Sequence, residues 1–269
     1  MAAAPLLIQR EEGVLILSNN NVAARNALSP EFYAAVIDAL AQAAGDASIG
    51  AVILTGEGGH FCAGGDLRQL AKRRELTEEQ RRAKLEGLHD LIRAVRSCPK
   101  PVIAAVEGAA AGAGLSLALA CDMLVAAKNS VFSVAYIKVG LTPDGGATAF
   151  LADFVSRQVL TELCLTGERI SGERLHALGA VNRLAEPGQA IVLATALAQQ
   201  IAQGPALATA RIKHLCSAAP HNTLDAQLEL EAQYMVQSQA TEESREGIGA
   251  FLEKRSPVFR AAAGLALTR

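Results

Sequence analysis

The stretch HFCAGGDL (residues 60–67) places two adjacent glycines between a predicted apolar strand and a charged helix. Such a stretch either turns the chain tightly or lets another group approach the backbone closely. A second stretch, EGAAAGAG (107–114), also follows a predicted strand and precedes a predicted helix. Amides at the start of a helix lack partners within the helix and carry partial positive charge. Two such loops facing each other predict paired N–H donors for one oxygen, although each loop alone is equally explained as a turn.

Length and composition indicate an ordinary globular protein without a nucleic-acid or membrane partner. The chain has 269 residues, a net charge of −2 and no cluster of basic residues long enough for either partner. Its start lacks the basic segment of a signal peptide, and no apolar run reaches the ~20 residues that span a bilayer. Five scattered cysteines without C-x-x-C spacing indicate reduced thiols in a cytoplasmic protein. Cysteines and histidines share no metal-ligand spacing, so we expect no metal.

Hydrophobic periodicity predicts strands that alternate with helices in the first part of the chain, followed by helices alone. The predicted strands cover 13–19, 49–58, 99–108, 122–127 and 130–134. The predicted helices cover 29–46, 76–98, 108–121 (a glycine loop running into a helix), 144–156, 157–165, 171–178, 189–203, 205–218, 223–240 and 241–254. This order indicates the α/β class, with a core over 1–195 and a helical region over 196–269 that no linker separates.

The loop at 107–114 has a competing interpretation as a dinucleotide site, because G-x-x-x-G-x-G after a strand opens the fold of short-chain dehydrogenases. Three observations argue against it. The loop follows about 100 residues rather than the first strand. Asp122 comes too early for the acidic residue that binds the ribose. Tyr136 is followed by Gly140 at the position where that family needs a lysine.

Five stretches in fixed order resemble the enoyl-CoA hydratase/isomerase, or crotonase, family, and most closely its isomerase-like members with aspartate in the PDGG position. They are RNAL (25–28), HFCAGGDL (60–67), PVIAAVEGAAAGAGLSLALACDMLVAA (101–127), FSVAYIKVGLTPDGGATAFL (132–151) and FLEKRSPVF (251–259). The resemblance implies a crotonase-like spiral of ββα units with a helical C-terminal trimerisation region. It further implies an acyl-CoA thioester substrate, a homotrimer or dimer of trimers, and no cofactor, since coenzyme A is part of the substrate.

The resemblance also implies where the substrate binds. The backbone amides of Gly65 and Ala113 fall at the motif positions that stabilise the thioester oxygen as it becomes an enolate. The implied coenzyme A contacts are Arg25, Ala27, Ala63, Asp66, Leu67, Lys254 and Phe259, and the last two could also reach it from a neighbouring subunit.

The chain departs from the family pattern where hydratases carry two glutamates that activate water. Ser116 and Tyr136 stand at these positions, and neither is a useful base at neutral pH. One carboxylate, Asp144, remains in a plausible place. An allylic isomerase needs only one base, so we expect an enoyl-CoA isomerase that acts either from Δ3 to Δ2 or on a ring-type acyl-CoA. Alternatives are hydration with one acid, C–C cleavage, thioester hydrolysis, or a catalytically silent acyl-CoA-binding homologue.

Several of these residues have plainer explanations. TPDGG is typical of a turn, with proline and aspartate at its centre, and Asp144 could also cap the next helix. Tyr136 is expected to line the acyl pocket, whereas Ser116 either bonds a substrate or simply fills space. Asp66 can cap the helix after it. The run of charged residues at 72–82, KRRELTEEQRR, predicts a solvated, mobile segment, with Lys72, Arg73 or Arg74 in reach of coenzyme A phosphates as the alternative.

Overall fold

A computed structural model of the chain describes residues 4–259. Its strands, in chain order, are β1 (Leu6–Glu11), β2 (Val14–Asn19), β3 (Ala51–Gly56), β4 (Val102–Val106), β5 (Ala109–Ala111), β6 (Met123–Ala127), β7 (Val131–Ser133), β8 (Arg169–Ser171) and β9 (Arg183–Ala185). Its helices are α1 (Pro30–Gly45), α2 (Leu67–Lys72), α3 (Glu78–Ser97), α4 (Ala113–Ala120), α5 (Ala147–Ala152), α6 (Arg157–Thr166), α7 (Gly172–Ala177), α8 (Ala190–Ala202), α9 (Ala206–Ala218), α10 (Leu224–Gln239) and α11 (Glu242–Leu252). Short 3-10 helices cover Val22–Ala24, Arg73–Glu75 and Ala135–Val139.

Two sheets organise the fold. The larger has the order β1-β2-β3-β4-β6-β9, with β1 antiparallel to β2 and all later neighbours parallel. The smaller has the order β5-β7-β8. Parallel neighbours require a crossover between them, which the helices supply. The predicted α/β class is therefore confirmed.

The chain winds as a spiral in which each turn contributes to both sheets. A strand of the large sheet leads to a short strand or bridge in the small layer, and a helix then returns the chain to the large sheet. This unit occurs as β3, the Cys62 bridge and α2–α3, and again as β4, β5 and α4. Cys62 pairs in parallel with Ala110 of β5, so equivalent points of consecutive turns lie side by side.

The central strands are buried on both faces, which explains their unbroken apolar runs. On β3, Val52 and Leu54 face the main core, whereas Ala51 and Ile53 face α8. Helix α8 presents buried alanines every four residues to that second face: Ala190, Ala194, Ala198 and Ala202. Such small side chains let the helix lie close against the sheet. α8 also runs through residue 195, so the division at 195/196 stays a prediction.

The helix starts follow the capping rules. The Ser29 hydroxyl accepts from the Phe32 amide, with Pro30 in the first turn, as predicted. At the start of α3, Thr77 and Gln80 cap each other's amides.

Four strands escaped the sequence analysis. Strand β1 lies at the sheet edge with five of its six residues exposed, and its sequence LLIQRE shows no alternation of apolar and polar residues. Strands β5, β8 and β9 have three residues each, which is too short for periodicity to show. Helix α2 is the helix expected after Asp66, and it ends at the first residue of the charged run at 72–82. None of these four strands can be recognised without its pairing partner.

A buried ion pair fastens α9 to the core. The Lys213 ammonium lies 2.7 Å from the Asp122 carboxylate, and their side chains are 7% and 16% exposed. Lys213 also donates to the Val95 and Lys100 carbonyls, each at 3.2 Å, and Asp122 accepts from the Val102 amide at 2.7 Å. Asp122, just before β6, thus joins α9 to the start of β4.

Replacing Lys213 by methionine is expected to lower the free energy of unfolding by about 3–5 kcal/mol, because Asp122 is left buried without its partner. Denaturant unfolding at fixed protein concentration measures this. Lys128 forms an exposed pair with Glu186, and its replacement by methionine is the matched control, expected to leave the free energy of unfolding nearly unchanged. Equal costs for the two variants would show that the buried pair does not fasten α9.

No single helix within residues 4–259 is long and apolar enough to cross a bilayer. The pair α8 and α9 meets this criterion of length and composition only when the two are counted together, and a 115° bend separates them.

Candidate active site

Two glycine loops meet at the same step of consecutive spiral turns. Gly65 and Ala113 each lie three residues beyond the paired residues Cys62 and Ala110. Neighbouring strands are separated by about 4.8 Å, so equivalent residues of the two loops lie close together. The spiral therefore brings together the two predicted amide donors.

Glycine is required where the loops touch. A Cβ on Gly64 would lie 2.7 Å from the Ala111 carbonyl oxygen, and a Cβ on Gly114 would lie 2.5 Å from the Cys62 carbonyl oxygen. Gly64 also has a φ of +98°. A side chain at either position would push the loops apart. The first of the adjacent glycines of HFCAGGDL, Gly64, thus serves a close approach of backbone to backbone.

The amides of Gly65 and Ala113 are unused by the protein itself. Within residues 4–259, neither N–H donates a hydrogen bond. Ala113 is the first residue of α4, a fully buried helix of eight residues, so its amide carries the partial positive charge of the helix start. Two free amides in adjacent loops can donate to one oxygen that gains negative charge.

The stretch RNAL (25–28), a predicted coenzyme A contact, is hydrogen-bonded through its backbone to the glycine loop at 60–67. The Leu28 amide donates to the Gly64 carbonyl at 2.8 Å, and the Ala63 amide donates to the Arg25 carbonyl at 3.0 Å. Arg25 and Ala63 are exposed at this junction, whereas Ala27 is buried. The structure thus brings these three predicted contacts together, and their role in binding coenzyme A stays a prediction.

Asn26 is the organiser that sequence reasoning missed. This buried side chain donates to the Glu57 carbonyl at 2.8 Å and to the His60 carbonyl at 2.6 Å, and accepts from the Asn21 amide. The signal that could have found it is the residue type, because asparagine tolerates the left-handed backbone conformation that Asn26 adopts, with a φ of 59°.

Asp66 and Leu67 open helix α2 directly after Gly65. The Asp66 carboxylate accepts from the Arg68 amide at 2.8 Å, which confirms that it caps this helix. Leu67 is 58% exposed, so its side chain is free to contact a ligand. Their contacts with coenzyme A stay predictions.

A hydrogen-bonded cluster of Ser116, Tyr136 and Asp144 lies beside the second loop. The Tyr136 hydroxyl donates to Asp144 Oδ1 at 2.7 Å, and the Ser116 hydroxyl donates to the Asp144 carbonyl at 2.9 Å. Gly112 faces the Tyr136 ring, because a Cβ on Gly112 would lie 3.7 Å from Tyr136 Cζ. The cluster therefore borders the residue that precedes Ala113.

The turn after Asp144 differs from our prediction. Gly145 and Gly146 occupy its centre with φ values of 60° and 85°, and Asp144 precedes them. The proposed cap is also wrong, because Gly146 precedes α5 and no side chain caps that helix. A Cβ on Gly145 would lie 3.1 Å from Ser116 Cβ and 3.2 Å from Leu88 Cδ2. The turn therefore packs against α4 and α3 through Gly145. The Asp144 carboxylate does not cap α5 and accepts the hydrogen bond from Tyr136 instead.

Burial and nearby charges shift the pKa values of Asp144 and Tyr136. Burial raises the pKa of the Asp144 carboxyl, while the Tyr136 hydroxyl, His89 and Arg73 oppose the rise. Burial and the Asp144 charge raise the pKa of Tyr136, so its hydroxyl stays protonated and donates. The arrangement offers a proton acceptor that titrates above an ordinary aspartate.

Cys62 is the thiol nearest the loop contact. Burial raises its pKa to about 12, so it stays protonated at neutral pH and is a poor nucleophile. His60 lies half-buried, and its Nδ1 accepts from the Ala109 amide at 3.2 Å. The Glu107 carboxylate accepts from the Ala190 amide at 2.8 Å and so joins the second glycine loop to the start of α8.

Lys254 and Phe259 lie beyond α11. The Lys254 amide donates to the Phe251 carbonyl, and the Phe259 ring lies over Gly247, whose Cβ would be 3.4 Å away. Arg255 pairs with Glu246 and keeps this segment on α11. These contacts join both residues to α11 rather than to the loops, and their predicted role stays untested. Among residues 4–259, no group of three histidine, cysteine, aspartate or glutamate side chains is arranged to bind a metal ion.

The chain is similar to known proteins in sequence and in fold. The sequence model of the enoyl-CoA hydratase/isomerase family matches residues 9–262. The 1,2-epoxyphenylacetyl-CoA isomerase of Escherichia coli K12 is 36% identical over 255 residues, covering 94% of this chain and 97% of that protein. The 2,3-dehydroadipyl-CoA hydratase of the same organism is 34% identical over 256 residues, covering 95% and 98%. The crystal structure of an enoyl-CoA hydratase from Polaromonas sp. JS666 has a TM-score of 0.93 at 48% identity, covering 95% of this chain and 99% of that one. The chain therefore belongs to the enoyl-CoA hydratase/isomerase family.

Proposed function

We propose that the protein is an enoyl-CoA isomerase that moves a double bond between the Δ3 and Δ2 positions by proton transfer. Asp144 is the base and acid, and the Gly65 and Ala113 amides bind the thioester oxygen. The observation that carries this proposal is the cluster of Ser116, Tyr136 and Asp144, which has one carboxylate where a paired-carboxylate mechanism needs two. Hydration needs an activated water, whereas allylic isomerisation needs only one proton carrier.

The proposed reaction balances without any further reactant. The Asp144 carboxylate takes a proton from C2 of a 3-enoyl-CoA, and the electron pair of that bond spreads over a dienolate. The two amides stabilise the negative charge on the thioester oxygen. Protonated Asp144 then returns the proton to C4, which leaves a 2-enoyl-CoA and an ionised carboxylate. A pKa raised by burial suits both halves of this exchange.

Incubation of 3-hexenoyl-CoA with the protein in ¹⁸O-labelled water tests the reaction. We expect conversion to 2-hexenoyl-CoA without incorporation of ¹⁸O. A labelled 3-hydroxyacyl product would identify a hydratase, the activity named for two of the relatives above. Tight binding without turnover or C2 proton exchange in deuterated water would identify a silent homologue.

Replacing Tyr136 by phenylalanine is expected to move the acid limb of the kcat/KM profile to higher pH. The Tyr136 hydroxyl stabilises the ionised form of Asp144 and lowers its pKa, so its loss raises that pKa. As the pH falls, the variant then loses its base earlier than the wild type does. A hydrogen bond to a charged group contributes about 1.5–3 kcal/mol, which corresponds to a movement of roughly one unit or more.

The Tyr234 hydroxyl, which bonds His214, provides a matched control for this profile. Tyr234→Phe is expected to leave the acid limb in place. An acid limb that also stays in place for Tyr136→Phe would show that Asp144 is not the group that titrates.

We also propose that the protein assembles through its helical C-terminal region as a homotrimer or a dimer of trimers. Support comes from large apolar side chains exposed on α10 and α11: Leu224, Leu228, Met235, Val236, Ile248, Phe251 and Leu252. Water-exposed apolar groups in such number are typical of a protein–protein interface. Sedimentation equilibrium is expected to give three or six chains; a monomer would contradict the proposal.

A further inference from the structure

Ser116 contacts the main chain of the residue that carries the proposed base. Its hydroxyl donates to the Asp144 carbonyl at 2.9 Å, and the whole residue is buried on α4. The Ser116 oxygen also lies 3.3 Å from the hydroxyl of Tyr136, which in turn donates to the Asp144 carboxylate. The two neighbours therefore act on different parts of Asp144. Tyr136 bonds the group that titrates, whereas Ser116 bonds the backbone from which that group extends.

The chain on either side of Asp144 does little to fix its position. Residues 137–142, which precede it, are exposed, and Gly145 and Gly146 follow it with positive φ values. Because glycine is conformationally permissive, such a turn takes its shape from contacts with other elements. One of these contacts is with Ser116, since a Cβ on Gly145 would lie 3.1 Å from Ser116 Cβ. Ser116 thus supports the turn through both its carbon and its hydroxyl.

Ser116 also belongs to the helix that supplies one of the two oxyanion donors. Ala113 opens α4, its amide has no acceptor within residues 4–259, and Ser116 follows three residues later on the same side of the helix. All eight residues of α4 are buried, so the helix is closely packed in the core. A single side-chain hydrogen bond therefore joins the helix that would bind the thioester oxygen to the residue that would carry the proton.

From these contacts we propose that Ser116 is a positioning residue, whose hydroxyl sets the distance between the Asp144 carboxylate and the acyl carbons of a thioester bound at Ala113. The inference rests on the proposed function, because it takes Asp144 as the base. The role differs from the two expected from the sequence, a substrate contact or the filling of space, since the hydroxyl donates to the protein itself. Reacting atoms must lie about 3–3.5 Å apart, and a misplacement of ~1 Å can cost about 10²-fold in rate.

Replacing Ser116 by alanine removes the hydroxyl and keeps the Cβ that packs against Gly145. The Asp144 carbonyl still accepts from the Ala147 amide at 3.2 Å, so the variant does not leave that carbonyl without a partner. We expect kcat for 3-hexenoyl-CoA to fall by about 10–10²-fold, because the base is displaced from the carbon that it serves. The dissociation constant of hexanoyl-CoA, measured by titration calorimetry, is expected to stay unchanged and shows that the variant is folded.

The pH profile of Ser116→Ala separates the position of the base from its titration. Burial, Tyr136, His89 and Arg73 shift the pKa of Asp144, and the Ser116 hydroxyl is not among these influences. The acid limb of kcat/KM is therefore expected to stay in place in Ser116→Ala, whereas Tyr136→Phe moves it to higher pH. If the acid limb also moved in Ser116→Ala, the hydroxyl would act on the ionisation of Asp144, and the inference would be wrong.

A double variant and a matched control test whether the effect passes through Asp144. In the Asp144→Asn background, Ser116→Ala is expected to lower turnover no further, because the base that it positions is already absent. Ser130 is also fully buried and donates to the Ala127 carbonyl at 2.6 Å, and Ser130→Ala is expected to keep the wild-type kcat.

Three results would overturn the inference: an unchanged kcat in Ser116→Ala, an equal loss in Ser130→Ala, or additive losses in the double variant. Each of them leaves Asp144 as the base. Unchanged turnover in Asp144→Asn alone would overturn the proposed function instead, so the two failures are distinguishable.

Discussion

Replacing Asp144 by asparagine is expected to lower isomerase turnover by about 10²–10⁴-fold, the usual contribution of a positioned general base, while the acyl-CoA ester still binds. Asparagine keeps an oxygen that can accept from the Tyr136 hydroxyl, which lies 2.7 Å from Asp144 Oδ1. The cluster thus keeps its geometry, but the amide cannot take the C2 proton. Steady-state turnover of 3-hexenoyl-CoA and calorimetric binding of a saturated ester measure the two effects separately.

The same variant is expected to be at least as stable as the wild type at pH 7. Burial raises the pKa of Asp144 in the folded state above its value in the unfolded chain. The stability that this group contributes is therefore present below the unfolded pKa, about 3.9, and is lost as the pH rises through the folded pKa. At neutral pH the ionised carboxylate opposes folding, and asparagine removes that cost. Thermal unfolding of both proteins across this pH range checks the sign.

Asp153, exposed at the end of α5, provides the matched control, and Asp153→Asn is expected to change neither turnover nor its pH dependence. Unchanged turnover in Asp144→Asn would remove Asp144 from the mechanism. A large loss of stability in that variant would assign Asp144 a structural role instead.

Exchange of the Ala113 amide for an ester, by incorporating the corresponding α-hydroxy acid, is expected to lower turnover by about 10²–10³-fold. The exchange deletes one N–H and leaves the methyl side chain. Loss of one oxyanion donor costs about 2.7–4 kcal/mol in a hydrolase where it was measured. Because the Ala113 amide has no partner within residues 4–259, the exchange breaks no hydrogen bond donated by this residue.

Ala206 offers a closely matched control. It is the first residue of α9, its amide has no acceptor within the described part of the chain, and Pro205 before it accepts a helix hydrogen bond from Thr209. Gly112 accepts in the same way from Leu115, so both exchanges weaken one carbonyl acceptor. The exchange at Ala206 is expected to leave turnover intact. Equal effects at the two positions would show that Ala113 acts through its helix rather than on the substrate oxygen.

The sequence predicted the two loops because their signals are local. Glycine spacing, a preceding apolar strand and a following helix start are all visible around Gly65 and Ala113 without knowledge of any partner. The α/β class followed from the same periodicity. That the two loops lie side by side depends on one further fact, the pairing of Cys62 with Ala110 in consecutive turns, which only the structure shows.

The remainder of the site depends on contacts between distant segments. The bond from Tyr136 to Asp144 exists because Gly145 packs between α4 and α3, and no property of TPDGG alone distinguishes that from an ordinary turn. Sequence reasoning therefore found backbone donors more readily than it found side-chain partners.

A crystal structure of the Asp144→Asn variant with 3-hexenoyl-CoA tests the central claim most directly, because the variant should bind this substrate without converting it. We expect the thioester oxygen about 2.7–3.1 Å from both the Gly65 and Ala113 nitrogens. The side chain at position 144 should lie about 3–3.5 Å from C2. A thioester oxygen bound elsewhere, or a side chain at 144 turned away from C2 and C4, would contradict the account.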